Sequence, residues 1–366
     1  MVRLSLASLA LLAACGDSLA ATDDHGQDSQ DSAADAAADA DADADAGDPP
    51  DVNGVEVRDV VIPGDLHVQG LPVPAKLFVP TLAGGARPLP GVLVLHGSGG
   101  LFELPGPADA LCSPTLEPQF TRWGERLAGL GHVVLMPASF DARGFCDWYA
   151  DTGRIPADFD DDRERLVGRL YDADAATRYL CAVPEVDCDR LGLLGFSNGA
   201  SAALLTLHWQ LARALAEFAT SDGPDLQIPV EAPPAGRPEF RVAVAYYPGC
   251  GLESTVHFST DPADDPADMY FPTAPLYIEH GSADTLVADC SLEFGEGRRQ
   301  AQSAVVAAAE RQPDPFHVTV HLGAEHGFDN AGSSGQDEGN GSQRAEDIRA
   351  RDDALAATLA HLAEHL

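Results

Sequence analysis

The sequence is short of basic residues: 22 lysines and arginines stand against 58 aspartates and glutamates, for a formal net charge of −36. That balance excludes a nucleic-acid partner, because phosphate backbones are held by lysine and arginine. Long apolar runs are also missing. The run at residues 4–14 is too short to span a bilayer, and with Arg3 before it residues 1–14 read as a signal peptide. Residues 15–51 lack aromatic and other large side chains and consist almost wholly of Asp, Ala, Ser and Gly. Such a segment has nothing to bury, so it is expected to be a disordered tether extended by its own charge. The alternation Asp41, Asp43, Asp45 invites a calcium loop, but glycine is missing at its sixth position and glutamate at its twelfth, where Ala46 and Val52 stand. No internal repeat is visible.

What is present begins with the end of the signal. Leu12-Ala13-Ala14-Cys15 is similar to the bacterial lipoprotein processing box. The resemblance implies that Cys15 becomes the first residue of the mature chain and carries lipid. Two or more acyl chains would hold the protein stably on the cell envelope, at the periplasmic face or the cell surface. The alternative is a plain secretory signal cut after Ser18-Leu19-Ala20.

Residues 52–366 have the composition of a folded domain. Eight strand candidates occupy residues 55–62, 75–79, 91–95, 132–136, 191–196, 242–247, 276–279 and 317–321. The first two are mixed or alternating. The third to sixth are nearly continuous apolar runs, as expected of parallel strands covered on both faces. Helical patterns at 120–129, 162–180, 200–218 and 298–311 separate them, and a last one runs over 343–366. Strand–helix alternation predicts an α/β fold: a mostly parallel, eight-stranded, doubly wound sheet with helices on both faces.

The fifth strand leads into Gly195-Phe196-Ser197-Asn198-Gly199, then small residues that open a helix. This is G-x-S-x-G in the strand–turn–helix setting that lifts a serine oxygen clear of a sheet, so Ser197 is the candidate nucleophile. Chemistry in open α/β sheets gathers beyond the carboxyl ends of the strands. After the seventh strand stands Asp284, with Asp289 as a rival. After the eighth stands His326, with His280, His317 and His321 as rivals near the same strands. A serine hydroxyl needs a base, and a histidine base needs a carboxylate to fix its tautomer. Ser197, Asp284 and His326 follow the order nucleophile, acid, base of α/β-hydrolases. After the third strand, His96-Gly97-Ser98-Gly99-Gly100 can turn N–H groups toward Ser197. The N–H groups of Ser98 and Asn198 are the candidate oxyanion donors. His96, upstream of the donor turn, reads as structural.

From about Val55 onward the chain resembles the dienelactone hydrolase family of α/β-hydrolases. The likeness rests on His96 to Gly100, on Ser139-Phe140-Asp141-Ala142-Arg143-Gly144, and on the helix from Arg169 to Leu180. It also rests on Gly195 to Gly199, Tyr247-Pro248-Gly249-Cys250, Asp284, and His326-Gly327-Phe328. The family's namesake has a cysteine nucleophile and a glutamate just after the third strand. This chain has Ser197 and no acid in that turn, and so looks more like the family's serine-bearing secreted esterases and polyester or acyl hydrolases. The resemblance implies a small-molecule or polymeric ester as substrate.

Six cysteines follow Cys15, an even number that fits disulfides in an oxidising compartment. Cys181 and Cys188 flank the link into the Ser197 strand. Cys250 and Cys290 follow neighbouring strands, which leaves Cys112 and Cys146, both in loops above the third and fourth strands. The residues 101–119, 221–239 and 329–344 form long loops. The last follows the presumed base and is expected to move. Phe140, Phe145, Trp148, Phe196 and Tyr247 could line a pocket or simply pack. The chemistry asks for no metal or cofactor, and nothing in the sequence fixes an oligomeric state. The functional expectation is a serine esterase; the alternatives are a peptidase or acyltransferase on the same triad, or an inactive, surface-anchored binding lipoprotein.

Overall fold

The structure is a computed structural model that describes residues 51–83, 88–104, 112–148, 161–208, 211, 235–249, 272–286, 316–332 and 344–366. All belong to the compact unit Asp48–Leu366. The expected signal peptide, Cys15 and the expected tether up to residue 50 lie outside the described residues, as do Cys250, Cys290, Asp289 and the helix expected at 298–311.

All eight expected strands form one sheet. They are β1 (Val52–Ile62), β2 (Val73–Leu82), β3 (Leu89–Leu95), β4 (Val133–Pro137), β5 (Val186–Phe196), β6 (Val242–Tyr246), β7 (Leu276–Gly281) and β8 (Phe316–His321). Their order is β1-β2-β4-β3-β5-β6-β7-β8. The sheet is mixed: β1 pairs antiparallel with β2 and β2 with β4, while every later pairing is parallel. The continuous apolar runs become the interior strands. Every residue of β3, β4 and β6 is buried, whereas β1 at the edge alternates between half-buried and exposed.

Four helices are described: α1 (Pro118–Gly129), α2 (Asp161–Ala182), α3 (Asn198–Thr206) and α4 (Ala345–His365). They divide into two layers. Leu93, Leu95, Leu191 and Leu193 face one core with α2 and α3. Val92, Val94, Leu194 and Phe196 face the other with Phe120, Trp123 and Leu127 of α1 and Ala354 and Leu362 of α4. Each such leucine or phenylalanine contributes about 1.5–3 kcal/mol relative to an exposed one. The period-2 pleat therefore explains why these strands must be apolar at every position.

One helix departs from expectation. The pattern over 200–218 predicts a single long helix, but α3 ends at Thr206, with Leu207 at φ −89° and ψ 1°; Leu211 is helical again, and residues 209, 210 and 212–218 lie outside the described residues. The Leu207 carbonyl accepts the Thr273 N–H at 2.8 Å, and His208 forms a β-bridge with Pro272. A tertiary partner thus takes the carbonyl that a further helical turn would have used. No described helix is long and apolar enough to cross a membrane.

Candidate active site

The site is built on the carboxyl ends of β3, β5, β7 and β8. Ser197 sits between β5 and α3 at φ 50° and ψ −118°. Among the described residues only Ser197 and Tyr247 combine a side chain with a positive φ. The strain persists because the surroundings fix it. The Ser197 N–H donates to Tyr246 O at 2.9 Å, and the Ser197 carbonyl accepts the Ser201 N–H at 3.0 Å. A Cβ on Gly195 would lie 2.6 Å from Gly199 O, and one on Gly199 would strike the Leu95 carbonyl. Glycine is therefore obligatory on both sides of the turn.

The loops after β7 and β8 are stitched together: Ser282 N–H donates to His321 O at 2.9 Å and Ala283 N–H to Ala324 O at 2.8 Å. That stitching brings the acid to the base. His326 Nδ1 lies 2.7 Å from Asp284 Oδ2, and His326 Nε2 lies 2.9 Å from Ser197 Oγ. A carboxylate only accepts, so Nδ1 carries the proton and Nε2 is free to take one from the serine. Asp284 Oδ1 accepts the Leu286 N–H at 2.9 Å. The Asp284 side chain is 2 % exposed and that of His326 40 %. Burial pushes the Asp284 carboxyl up, but its hydrogen bonds to His326 and Leu286 and the nearby imidazoles outweigh this and hold it below its usual range. The carboxyl is therefore ionised, as a group that orients an imidazolium must be.

The other histidines are placed elsewhere. His280 is buried behind Asp284, with Nδ1 3.5 Å from Asp284 Oδ2 and Nε2 3.0 Å from Pro248 O. His321 pairs with Glu279 at 2.7 Å, and His317 stacks on Tyr277. His96 is fully buried, between Phe120 and Phe140. Burial and then the Arg169 guanidinium press its imidazole well below the ordinary range, so it is neutral.

The turn after β3 lies against the nucleophile: a Cβ on Gly97 would come 3.5 Å from Ser197 Cβ. The Ser98 carbonyl is occupied by the Trp148 N–H at 2.9 Å. Neither the Ser98 nor the Asn198 N–H is engaged among the described residues, as oxyanion donors must not be. Disulfide Cys112–Cys146 ties the loops above β3 and β4, and Cys181–Cys188 closes the link from α2 into β5.

Three features lack an obvious signal in the sequence. The first is Arg169, 1 % exposed, whose Nη1 donates to Asn198 Oδ1 at 2.7 Å. The second lies just after the base. Asp329 was expected to begin a mobile loop; instead it is buried in a 3-10 turn, Phe328–Asn330. It accepts the Tyr247 hydroxyl, Gln119 Nε2 at 2.7 Å and Trp123 Nε1 at 3.4 Å. Residues 333–343 of that loop lie outside the described residues. The third is the Tyr247 ring, 4.6 Å from that of His326. Of the aromatic candidates, Phe140, Phe145 and Phe196 are buried as packing, Tyr247 backs the base, and Trp148 is half-buried at the rim. A cavity of about 370 Å³ lies apart from Ser197, behind Asp329, between Arg122 and Trp123 of α1 and Arg351 of α4. Among the described residues, no three His, Cys, Asp or Glu side chains are grouped to hold a metal ion.

No protein-family model matches the chain, and no curated protein matches it in sequence. Solved structures do match. One is a Klebsiella pneumoniae protein assigned as a dienelactone hydrolase, with 20% identity, a TM-score of 0.51, and coverage of 85% of this chain and 99% of that one. Another is a dienelactone hydrolase-like promiscuous phosphotriesterase from metagenomic libraries, with 18% identity, a TM-score of 0.50, and coverage of 85% and 99%. The sheet order, the strained serine turn and these likenesses establish the α/β-hydrolase fold for the described residues, the fold also of those dienelactone hydrolase-like structures.

Proposed function

We propose that this protein is a serine hydrolase that cleaves carboxylic ester bonds through an acyl-enzyme. The observation that carries the reading is the unbroken relay from Ser197 Oγ to His326 Nε2 at 2.9 Å and from His326 Nδ1 to Asp284 at 2.7 Å, set on a strained serine. Ser197 Oγ attacks the ester carbonyl carbon as its proton passes to His326 Nε2. The carbonyl oxygen gains the negative charge and is met by the N–H groups of Ser98 and Asn198. His326 then gives its proton to the leaving alcohol. Water repeats the sequence on the acyl-enzyme and frees the acid. Asp284 keeps Nδ1–H pointed at itself and stabilises the imidazolium in both halves. The names of the two solved proteins given above denote hydrolysis of a dienelactone in the first and of a phosphotriester in the second.

Turnover of a series of p-nitrophenyl esters, with peptides and lactones beside them, tests the reading. Ester cleavage that vanishes in Ser197→Ala is expected. Near-wild-type ester cleavage by that variant would overturn the reading, and turnover confined to peptides would move it to the peptidase alternative. The same proposal puts the protein on the bacterial envelope, held by lipid on Cys15, because the apolar run ends Leu12-Ala13-Ala14-Cys15.

A further inference from the structure

A planar trans peptide couples its two polar groups: where the C=O is held, the N–H is aimed the opposite way. The two candidate oxyanion donors are aimed in this manner. The Ser98 N–H shares a peptide with Gly97 O, which accepts His96 Nδ1 at 2.8 Å and the Gly100 N–H at 3.2 Å. The Asn198 N–H shares one with Ser197 O, held by the Ser201 N–H at 3.0 Å. These bonds fix each half separately. They do not fix the halves to each other, because β3 and β5 are separate segments and the donors lie beyond the last rung of their ladder, Leu95 opposite Gly195.

One side chain spans that gap. Arg169, from α2 and 1 % exposed, donates from Nη1 to Asn198 Oδ1 at 2.7 Å and from Nη2 to the His96 carbonyl. Its guanidinium also lies 5.2 Å from the centre of the Phe140 ring, which packs on His96 at 4.8 Å. A guanidinium is a rigid fork, so two acceptors bound to its two ends are held at one separation. Lysine offers a single point of charge instead. The fork also polarises the His96 peptide that leads into the donor turn.

We infer that Arg169 is a positioning residue of the oxyanion hole, a clamp between the Asn198 side chain and the His96 carbonyl that sets the separation of the two donor N–H groups. The inference rests on the serine hydrolase reading. It gives the Asn198 side chain a role that its backbone N–H alone would not require.

The test uses the folded full chain, an active p-nitrophenyl ester, and an aryl trifluoromethyl ketone, whose adduct with Ser197 is an oxyanion. Asn198→Ala keeps the N–H and removes only the accepting oxygen. It should lower kcat by about 10–100-fold, less than the 10²–10³ lost with a whole donor, and leave KM within about 2-fold. Affinity for the ketone should fall by the same factor as kcat/KM. Arg169→Lys should do likewise, and the double variant should be scarcely worse than either, because both break one clamp. Asn198→Ser, which restores an accepting oxygen, should recover part of the loss. Thermal melts are run on each, and should Arg169→Lys not fold, Asn198→Ala and Asn198→Ser carry the test. Folded variants with wild-type kcat and ketone affinity, in a wild type that turns over ester, would overturn the clamp alone. A wild type with neither ester turnover nor ketone binding would overturn the hydrolase reading and the clamp with it.

Discussion

At the scale of single residues, the proposed function asks the site to hold one proton where it can move. Ser197→Ala and His326→Ala should each lower kcat by about 10⁴–10⁶, with the double variant scarcely worse, since the pair acts as a unit. Asp284→Asn should cost about 10⁴ by presenting the wrong tautomer. Stopped ester hydrolysis on variants of unchanged thermal melt checks both. The pH dependence has a definite sign. Only neutral imidazole can take the serine proton, so kcat/KM should rise with pH and then level. Asp284, held below the usual carboxylate range, is charged throughout that rise. A limb with the slope of one proton is therefore expected, and a two-proton slope would show that Asp284 is not charged throughout. Ser197 was legible in the sequence because G-x-S-x-G follows an apolar strand, and Asp284 and His326 because each follows a later strand in the order nucleophile, acid, base. Arg169 was not, because it sits in a helix that also carries buried Asp172 and Asp174, and nothing in its spacing tells a clamp from an ordinary ion pair.

At the scale of elements, burial decides what the sequence reveals. β3 and the Leu191–Phe196 part of β5 are covered on both faces and so read directly as apolar runs. The end of α3 does not, because a tertiary hydrogen bond from Thr273, far away in sequence, stops a pattern that could have continued. Asp329 misled for the same reason: it opens a glycine- and serine-rich stretch that reads as loop, yet Tyr247, Gln119 and Trp123 converge on it. A second buried carboxylate joins three elements. Asp172 of α2 accepts Arg143, from the turn after β4, at 2.7 Å and pairs with His67, from the β1–β2 connection, at 2.8 Å. Burial pushes its carboxyl up, but Arg143 and His67 prevail and bring it down to about 2. A carboxyl lowered in the fold stabilises it above the unfolded value near 4, and that contribution is lost as pH falls from there toward 2. Asp172→Asn takes the charge partner from a half-buried arginine and should cost up to about 3 kcal/mol at neutral pH, read by urea denaturation. It should also flatten the acid limb of stability; an unchanged limb would mean that other carboxylates carry it.

At the scale of the whole molecule, two covalent links among the described residues brace the frame that carries the site. Cys112–Cys146 closes a separation of 34 residues and Cys181–Cys188 one of 7. On loop entropy the first should stabilise by about 4 kcal/mol and the second by about 2 kcal/mol. Denaturation of the two paired Cys→Ala variants should rank them in that order, and equal losses would point to strain or packing instead. The first link also pins the loop of Trp148, whose N–H holds Ser98, so its loss should lower kcat as well as stability. Far from the fold in sequence, Cys15→Ser should abolish uptake of labelled fatty acid in a bacterial host; wild-type protein that takes up none would contradict the anchor.

The central claim is that His326, oriented by Asp284, makes Ser197 a nucleophile. Intact-protein mass spectrometry after exposure to an organophosphate tests it most directly. One adduct per chain, mapped to Ser197 and formed far more slowly in His326→Ala, is the predicted result. Folded wild-type protein that stays unlabelled, or that takes the label at another residue while Ser197→Ala still hydrolyses ester, would contradict it.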